Sequence, residues 1–297
     1  MSRTRTALGA FTIGAVGSVT TAGLLSFRPP GGLERWIRES HAGRPVTLFE
    51  GPAYVVGAVA GALAGGAGAP AAVAALASGA FGALDDLVED TSSKGLRGHL
   101  AAATRGEVTT GAVKVVGLGV TGAVTAWIVD RSRTDPDHSR TDPGRTRIRA
   151  GAMSTLVGAA VIAGSANVVN LLDLRPGRAL KVVILVALPI VAGDRGTRFS
   201  AVTAAAAAGA AMGVLPKDLA GRSMLGDTGA NSAGALLGTA LVARTGTRGR
   251  LLALAMVTAL TLASEKVSFT TVIESTPGLR ELDALGRPPT QPSTVTS

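Results

Sequence analysis

"GPAYVVGAVAGALAGGAGAPAAVAALASGAFGALDD", residues 51–86, carries no charged side chain over its first 34 positions and then ends on two adjacent carboxylates, Asp85 and Asp86. Read as one helix, the neutral run would extend about 51 Å at 1.5 Å per residue. A bilayer hydrocarbon core is only about 30 Å thick. "GGAGAP" in its middle supplies a Gly- and Pro-based turn, so the run reads as two membrane crossings. The paired acids then mark the point where the second crossing reaches water.

The composition agrees. Of 297 residues, 46% are hydrophobic and only 16% charged, with a mean hydropathy of +0.37. Soluble domains carry roughly 25% charge. The 40 glycines would weaken helices in water, whereas in a bilayer small residues let helices approach closely. With no cysteine, neither a disulfide framework nor a thiolate metal site is available. The formal charge of +9 comes with six Phe, one Tyr and two Trp, too few aromatics for base stacking. Basic loops beside anionic headgroups explain the charge without nucleic acid.

The pattern predicts an all-α integral membrane protein of about nine transmembrane helices in one bundle. The crossings fall near residues 7–27, 52–66, 69–84, 112–129, 150–166, 180–193, 199–215, 230–243 and 251–263. The first follows Arg3 and Arg5 and is long enough to span, so it reads as an uncleaved helix rather than a signal peptide. "GLGVTG" at 117–122 has the glycine spacing of a dinucleotide-binding fingerprint, but it lies inside an apolar span instead of after a strand. Residues 1–276 form the membrane domain. Residues 277–297 form a tail with a short amphipathic helix, marked by Leu279, Leu282 and Leu285, and a disordered Ser/Thr-rich end.

Nine crossings put residues 28–51, 85–111, 167–181, 216–229 and 264–297 on one side. Counting Lys114, that side holds sixteen of the lysines and arginines and the other thirteen, so the positive-inside rule leaves the orientation open. The same side gathers the carboxylates. "NVVNLLDLRPGRALK" supplies Asn167, Asn170, Asp173, Arg175 and Arg178, and "PKDLAGRSMLGDTGAN" supplies Arg222, Asp227 and Asn231. Acids converging at a membrane surface repel one another unless a cation joins them, and hard oxygen donors suit Mg²⁺ or Mn²⁺. Lys94 and Arg97 add positive charge that suits a phosphate. Glu89, Asp90 and Asp218 read as solvated, and His41, His99 and His138 show no metal-ligand spacing. Carboxylates, a divalent ion and arginines are the parts of a phosphoryl-transfer site.

These residues resemble the polyprenyl-phosphate N-acetylhexosamine-1-phosphate transferases. "AGRPVTLFEGP" (42–52) is similar to their first catalytic-side loop, "DDLVEDTSSKGLRGH" to their paired-aspartate motif, "NVVNLLD" to their Asn-x-x-Asn-x-x-Asp motif and "MLGDTGAN" to their Gly-Asp-x-Gly motif. The resemblance implies transfer of a sugar phosphate from a UDP-sugar to polyprenyl phosphate, with Mg²⁺, at the cytoplasmic face of the plasma membrane, for cell-envelope glycan synthesis. It implies that Asp85, Asp86 and Asp173 are catalytic, with Asp85 receiving the proton from, or orienting, the lipid phosphate. Asp86 and Asp227 would hold the metal. Asn167, Asn170, Lys94, Arg97, Arg175, Arg178, Arg222 and Asn231 would contact substrate. A homodimer or a partner protein completing the site stays open.

The sequence also departs from the pattern. Residues 265–287 contain no histidine where better-known members carry a histidine-rich loop, and Met224 stands where many have an aromatic residue. Two alternatives follow: a member that binds lipid phosphate without catalysis, and a secondary transporter, which would place acids near mid-helix.

Overall fold

The computed structural model describes residues 2–40, 43–87, 110–134, 151–193 and 197–288. Among these residues each apolar block is a helix: α1 (Arg3–Phe27), α2 (Glu50–Ala64), α3 (Gly68–Leu87), α4 (Thr110–Thr134), α5 (Ala152–Leu172), α6 (Arg178–Ala192), α7 (Arg198–Leu219), α8 (Gly226–Arg244) and α9 (Thr247–Ser264). Two short helices follow, α10 (Phe269–Ser275) and α11 (Leu279–Ala284). The exception to all-α architecture is a small antiparallel pair after α1, β1 (Ile37–Glu39) with β2 (Pro45–Thr47), in which Arg38 faces Val46.

The neutral run breaks where the sequence predicts. Helix α2 stops at Ala64 and α3 starts at Gly68. Between them Gly66 (φ 80°) and Gly68 (φ 63°) adopt the left-handed backbone open to glycine. Among the described residues five helices, α1, α3, α4, α5 and α7, are long and apolar enough to cross a bilayer. The count rises to six if α9 and α10, bent by 95°, form one broken span. The protein is therefore an all-α membrane protein. Helices α2 and α6 have only 15 residues each, and α8 opens on polar residues and is buried along nearly its whole length.

Helix α8 is the axis of the bundle, packed against α2, α3, α5 and α7. Lipid provides no hydrophobic force between helices, so close packing of small residues holds them together. Helix α1 shows how close: a side chain at Gly14 would stand 2.9 Å from the Ala206 carbonyl of α7, and one at Gly57 of α2 would stand 2.6 Å from the Ser18 nitrogen. Helix α9 lies at the flank, mainly against α5, with Arg250 its sole buried residue. Arg250 pairs with Asp130 of α4 at 2.5 and 2.9 Å, and Thr155 of α5 donates to the same carboxylate at 2.8 Å. This buried pair ties the ends of α4, α5, α8 and α9 far from the carboxylates considered next.

Candidate active site

The site forms where α3 ends over the start of α8. Gly79 and Gly82 line the α3 surface that meets α8, and a side chain at Gly82 would run into the Asp227 and Thr228 backbone. This close approach brings Asp86, in the last turn of α3, onto the first N–H groups of α8. A helix start leaves such groups without intrahelical partners. Asp86 Oδ1 accepts from the Asp227 N–H at 2.9 Å. Its Oδ2 accepts from the Thr228 N–H at 2.9 Å and the Thr228 hydroxyl at 2.6 Å. Gly226, the first residue of α8, takes φ 59° and lies so near Asp86 that a Cβ would stand 2.9 Å from its carboxylate. Behind Asp86, Arg38 donates to its backbone carbonyl at 2.6 Å. Strand β2 is also tied to the segment preceding α8: the Thr47 N–H donates to the Arg222 carbonyl at 3.2 Å, and the Met224 N–H to the Thr47 carbonyl at 3.0 Å.

Beside this cap, Asp85 and Asp227 face one cation. Lys114 of α4 lies 3.3 Å from Asp85 Oδ2 and is ion-paired with Asp227. All three side chains are partly accessible, 29%, 21% and 15% for Asp85, Asp227 and Lys114, so the cluster opens toward solvent. Lys114 is absent from the residues that the motifs single out. Its signal was a lone lysine a few positions inside an apolar span, where a charge is costly without a partner.

A second group of acids lies deeper. Glu50 at the start of α2, Asp173 just after α5 and Asp218 in the last turn of α7 are all buried. Both Glu50 carboxylate oxygens, and one oxygen each of Asp173 and Asp218, lack a hydrogen-bond partner. The Gly226 backbone lies beside Asp173. Burial, followed by the neighbouring Asp218 charge, raises its carboxyl well above the usual range. Asp218 corrects the expectation of a solvated charge: it is 2% exposed. The Gly177 backbone, in the turn joining α5 to α6, lies beside it.

The remaining expected residues divide. Asn167 donates to the Thr261 hydroxyl of α9 at 3.2 Å and so bridges two helices. Asn170 is half-buried, one turn before Asp173. Asn231 is fully buried in α8, with neither side-chain amide atom partnered. The Arg222 side chain is exposed. Arg175 and Arg178, expected at a substrate phosphate, pair with acids of the C-terminal segment: Arg175 with Glu274 at 2.9 Å, and Arg178 with Asp283 at 2.8 and 3.2 Å. Lys94, Arg97, His99, Glu89 and Asp90 lie outside the described residues, as does the Ser/Thr-rich end.

The geometry is that of an acid pair sharing one cation at a helix start, where the N–H groups and helix dipole favour an anion. The sequence profile of glycosyl transferase family 4 matches residues 69–245. That range is well over half the chain and runs from the start of α3 to the end of α8, so it contains Asp85, Asp86, Lys114, Asp173 and Asp227. No curated protein matches the chain. The chain belongs to glycosyl transferase family 4, within the polyprenyl-phosphate hexosamine-1-phosphate transferase superfamily, and is a phosphosugar transferase.

Proposed function

We propose that the protein transfers a sugar 1-phosphate from a UDP-sugar, of the N-acetylhexosamine class, to polyprenyl phosphate and releases UMP. The observation that carries this reading is the convergence of Asp85, Lys114 and Asp227 at the α8 start that Asp86 caps. In the reaction an oxygen of the lipid phosphate bonds to the β-phosphorus of the donor. The bond from that phosphorus to the bridging oxygen breaks, and the electron pair leaves on UMP. Asp85, the more accessible acid, orients the lipid phosphate or takes its proton. Lys114 balances the carboxylates before substrate arrives. Asp86 uses both oxygens to fix the α8 start and is thereby a positioning group.

The residues fit Mg²⁺ or Mn²⁺. Asp227 and Asp85 already flank a cation, the Lys114 ammonium, with hard oxygen donors. Among the described residues no three acidic or histidine side chains converge as a closed ligand set. Magnesium is commonly held by one or two carboxylates together with substrate phosphates. Asp227 would hold the ion, with Asp85 or Asp86 next to it; when bound, the ion would neutralise charge developing on the diphosphate. The reading also takes α1 to α9 as nine crossings of the plasma membrane, with the Asp227 end cytoplasmic, and assigns the product to cell-envelope glycan synthesis. Residues 1–276 would form the catalytic domain and 277–297 its tail.

The test is product formation. Purified protein in detergent is given undecaprenyl phosphate, Mg²⁺ and one UDP-sugar at a time, and the lipid-linked sugar diphosphate is read by mass spectrometry. Product with one donor supports the reading and names the sugar. Absence of product with every UDP-sugar, while lipid phosphate still binds, overturns it in favour of a non-catalytic lipid-phosphate binder.

A further inference from the structure

The C-terminal segment, α10 and α11, carries no buried residue. Leu279, Leu282 and Leu285 are 46%, 40% and 66% exposed, so apolar burial does not fix its position. Polar contacts do, and they converge on Asp283. The Arg178 guanidinium, 3% exposed, meets both Asp283 oxygens at 2.8 and 3.2 Å and Thr270 at 3.0 Å. Such two-pronged pairing fixes direction as well as distance. Arg287 joins Asp283 at 2.9 Å to the Pro176 carbonyl at 2.8 Å. Lys181 closes the contact from α6, donating to the Leu282 and Asp283 carbonyls at 3.1 and 2.6 Å.

Apart from Lys181, these contacts grip one short stretch, residues 173–178, that leads from α5 into α6. It is shaped by Gly177 (φ 75°), whose backbone lies beside Asp218. At its start stands Asp173, whose carboxyl lies beside the backbone of Gly226, the residue before Asp227. A continuous set of contacts thus runs from Asp283 through Arg178, Arg287 and the turn to Asp173 and the start of α8.

We propose that Asp283 is a positioning residue of the active site, acting through Arg178 and Arg287 to hold the 173–178 turn, and with it Asp173, against α8. The inference rests on the transfer reaction described above, but one of its readouts does not need turnover. Asp283→Ala releases the turn, and a small displacement near reacting groups costs on the order of 10- to 100-fold in rate. The experiment combines steady-state kinetics with amide hydrogen exchange on the full chain in detergent. The expected result is kcat lowered by about 10- to 100-fold, with faster exchange at residues 173–177 and 226–228. Asp283→Glu should recover part of both. Arg280→Gln, on the same helix but exposed and remote from the turn, should change neither. Should Asp283→Ala fail to fold, Asp283→Asn, which keeps the shape and loses the charge, is read in the same way. Wild-type exchange at 173–177 and 226–228 in the variant, or faster exchange confined to α10 and α11, overturns the proposal. If the wild type turns over no UDP-sugar, the proposed reaction fails while the exchange data still decide the role of Asp283.

Discussion

Asp86 and Asp227 stand 141 positions apart in sequence, yet the carboxylate of one accepts the backbone N–H of the other at 2.9 Å. Asp86 is thus the cap that α8 lacks at its own N-cap position, Leu225, whose side chain caps nothing. Together with the bonds of Asp86 to Thr228 and the Lys114 bridge, this contact joins the two halves of the site, and its consequences are measurable.

Replacing Asp86 by Ala leaves three donors without a partner. A lost helix cap costs about 1 kcal/mol, and a lost charge-assisted bond about 1.5–3 kcal/mol. Asp86→Ala should therefore destabilise the protein by about 2–3 kcal/mol and also reduce turnover, because Asp227 shifts with the helix start. Asp86→Asn keeps acceptor capacity on one side only and should fall between. Thermal unfolding in detergent beside kcat checks both; full activity of Asp86→Ala would remove the cap from the account.

Lys114 neutralises two carboxylates, so Lys114→Met should leave Asp85 and Asp227 repelling each other. The variant should gain more thermal stability from added Mg²⁺ than the wild type does, since the ion takes over the missing charge. Equal Mg²⁺ shifts in the two proteins would show that the acids do not share a cation site.

Gly82 passes directly over the Asp227 backbone. Gly82→Ala forces α3 and α8 apart and should cost about 1–3 kcal/mol, as overpacking does, with loss of turnover. Gly119, whose side chain would meet nothing within 4 Å, is the control: Gly119→Ala should leave activity unchanged and stability equal or slightly raised.

The Arg250–Asp130 pair is 1% and 7% exposed and lies at the other end of α8, where Arg250 donates to the Val242 carbonyl, about 22 Å from Asp227 at 1.5 Å per residue. Arg250→Met leaves a buried carboxylate unpaired and should cost about 3–5 kcal/mol. The double variant Arg250→Met with Asp130→Leu should recover most of that. Thermal unfolding gives the comparison, and the double variant should keep wild-type kcat.

The C-terminal docking has a defined pH dependence. Burial raises the Asp283 carboxyl, but hydrogen bonds and charge from Arg178 and Arg287 outweigh it and hold it below the usual carboxylate range. A depressed native value means that the stabilisation is fully present above the unfolded value of about 3.9. It is lost as pH falls through the lower native value. Exchange protection of the Leu282 and Leu285 amides, corrected for intrinsic pH effects, should be constant from about pH 5 to 8 and collapse only below about 4. Loss of protection near neutral pH would contradict the pairing.

Much of this was legible in the sequence, and the parts that were not share a cause. Among the described residues every apolar block is a helix, and the break falls at residues 65–67 inside the Gly-rich stretch, because absence of charge and backbone freedom are local properties. Asp85, Asp86 and Asp227 were legible as helix-end acids. Lys114 was not, since a lysine near the end of an apolar span also looks like a headgroup anchor. Asp218 follows Lys217 and precedes a Gly-Arg turn, a solvated pattern, yet it is buried, next to Gly177 of the α5–α6 connection about forty residues away. Arg175 and Arg178 looked available for phosphate because their acidic partners lie 99 and 105 positions downstream.

The most direct test of the central claim is UMP release as a function of Mg²⁺ concentration, with undecaprenyl phosphate and the accepted UDP-sugar, for the wild type and Asp227→Asn. The account predicts lipid-dependent release that rises and saturates with Mg²⁺ in the wild type and falls by about 100-fold or more in the variant. Release by Asp227→Asn at the wild-type rate and with the same Mg²⁺ dependence would contradict it.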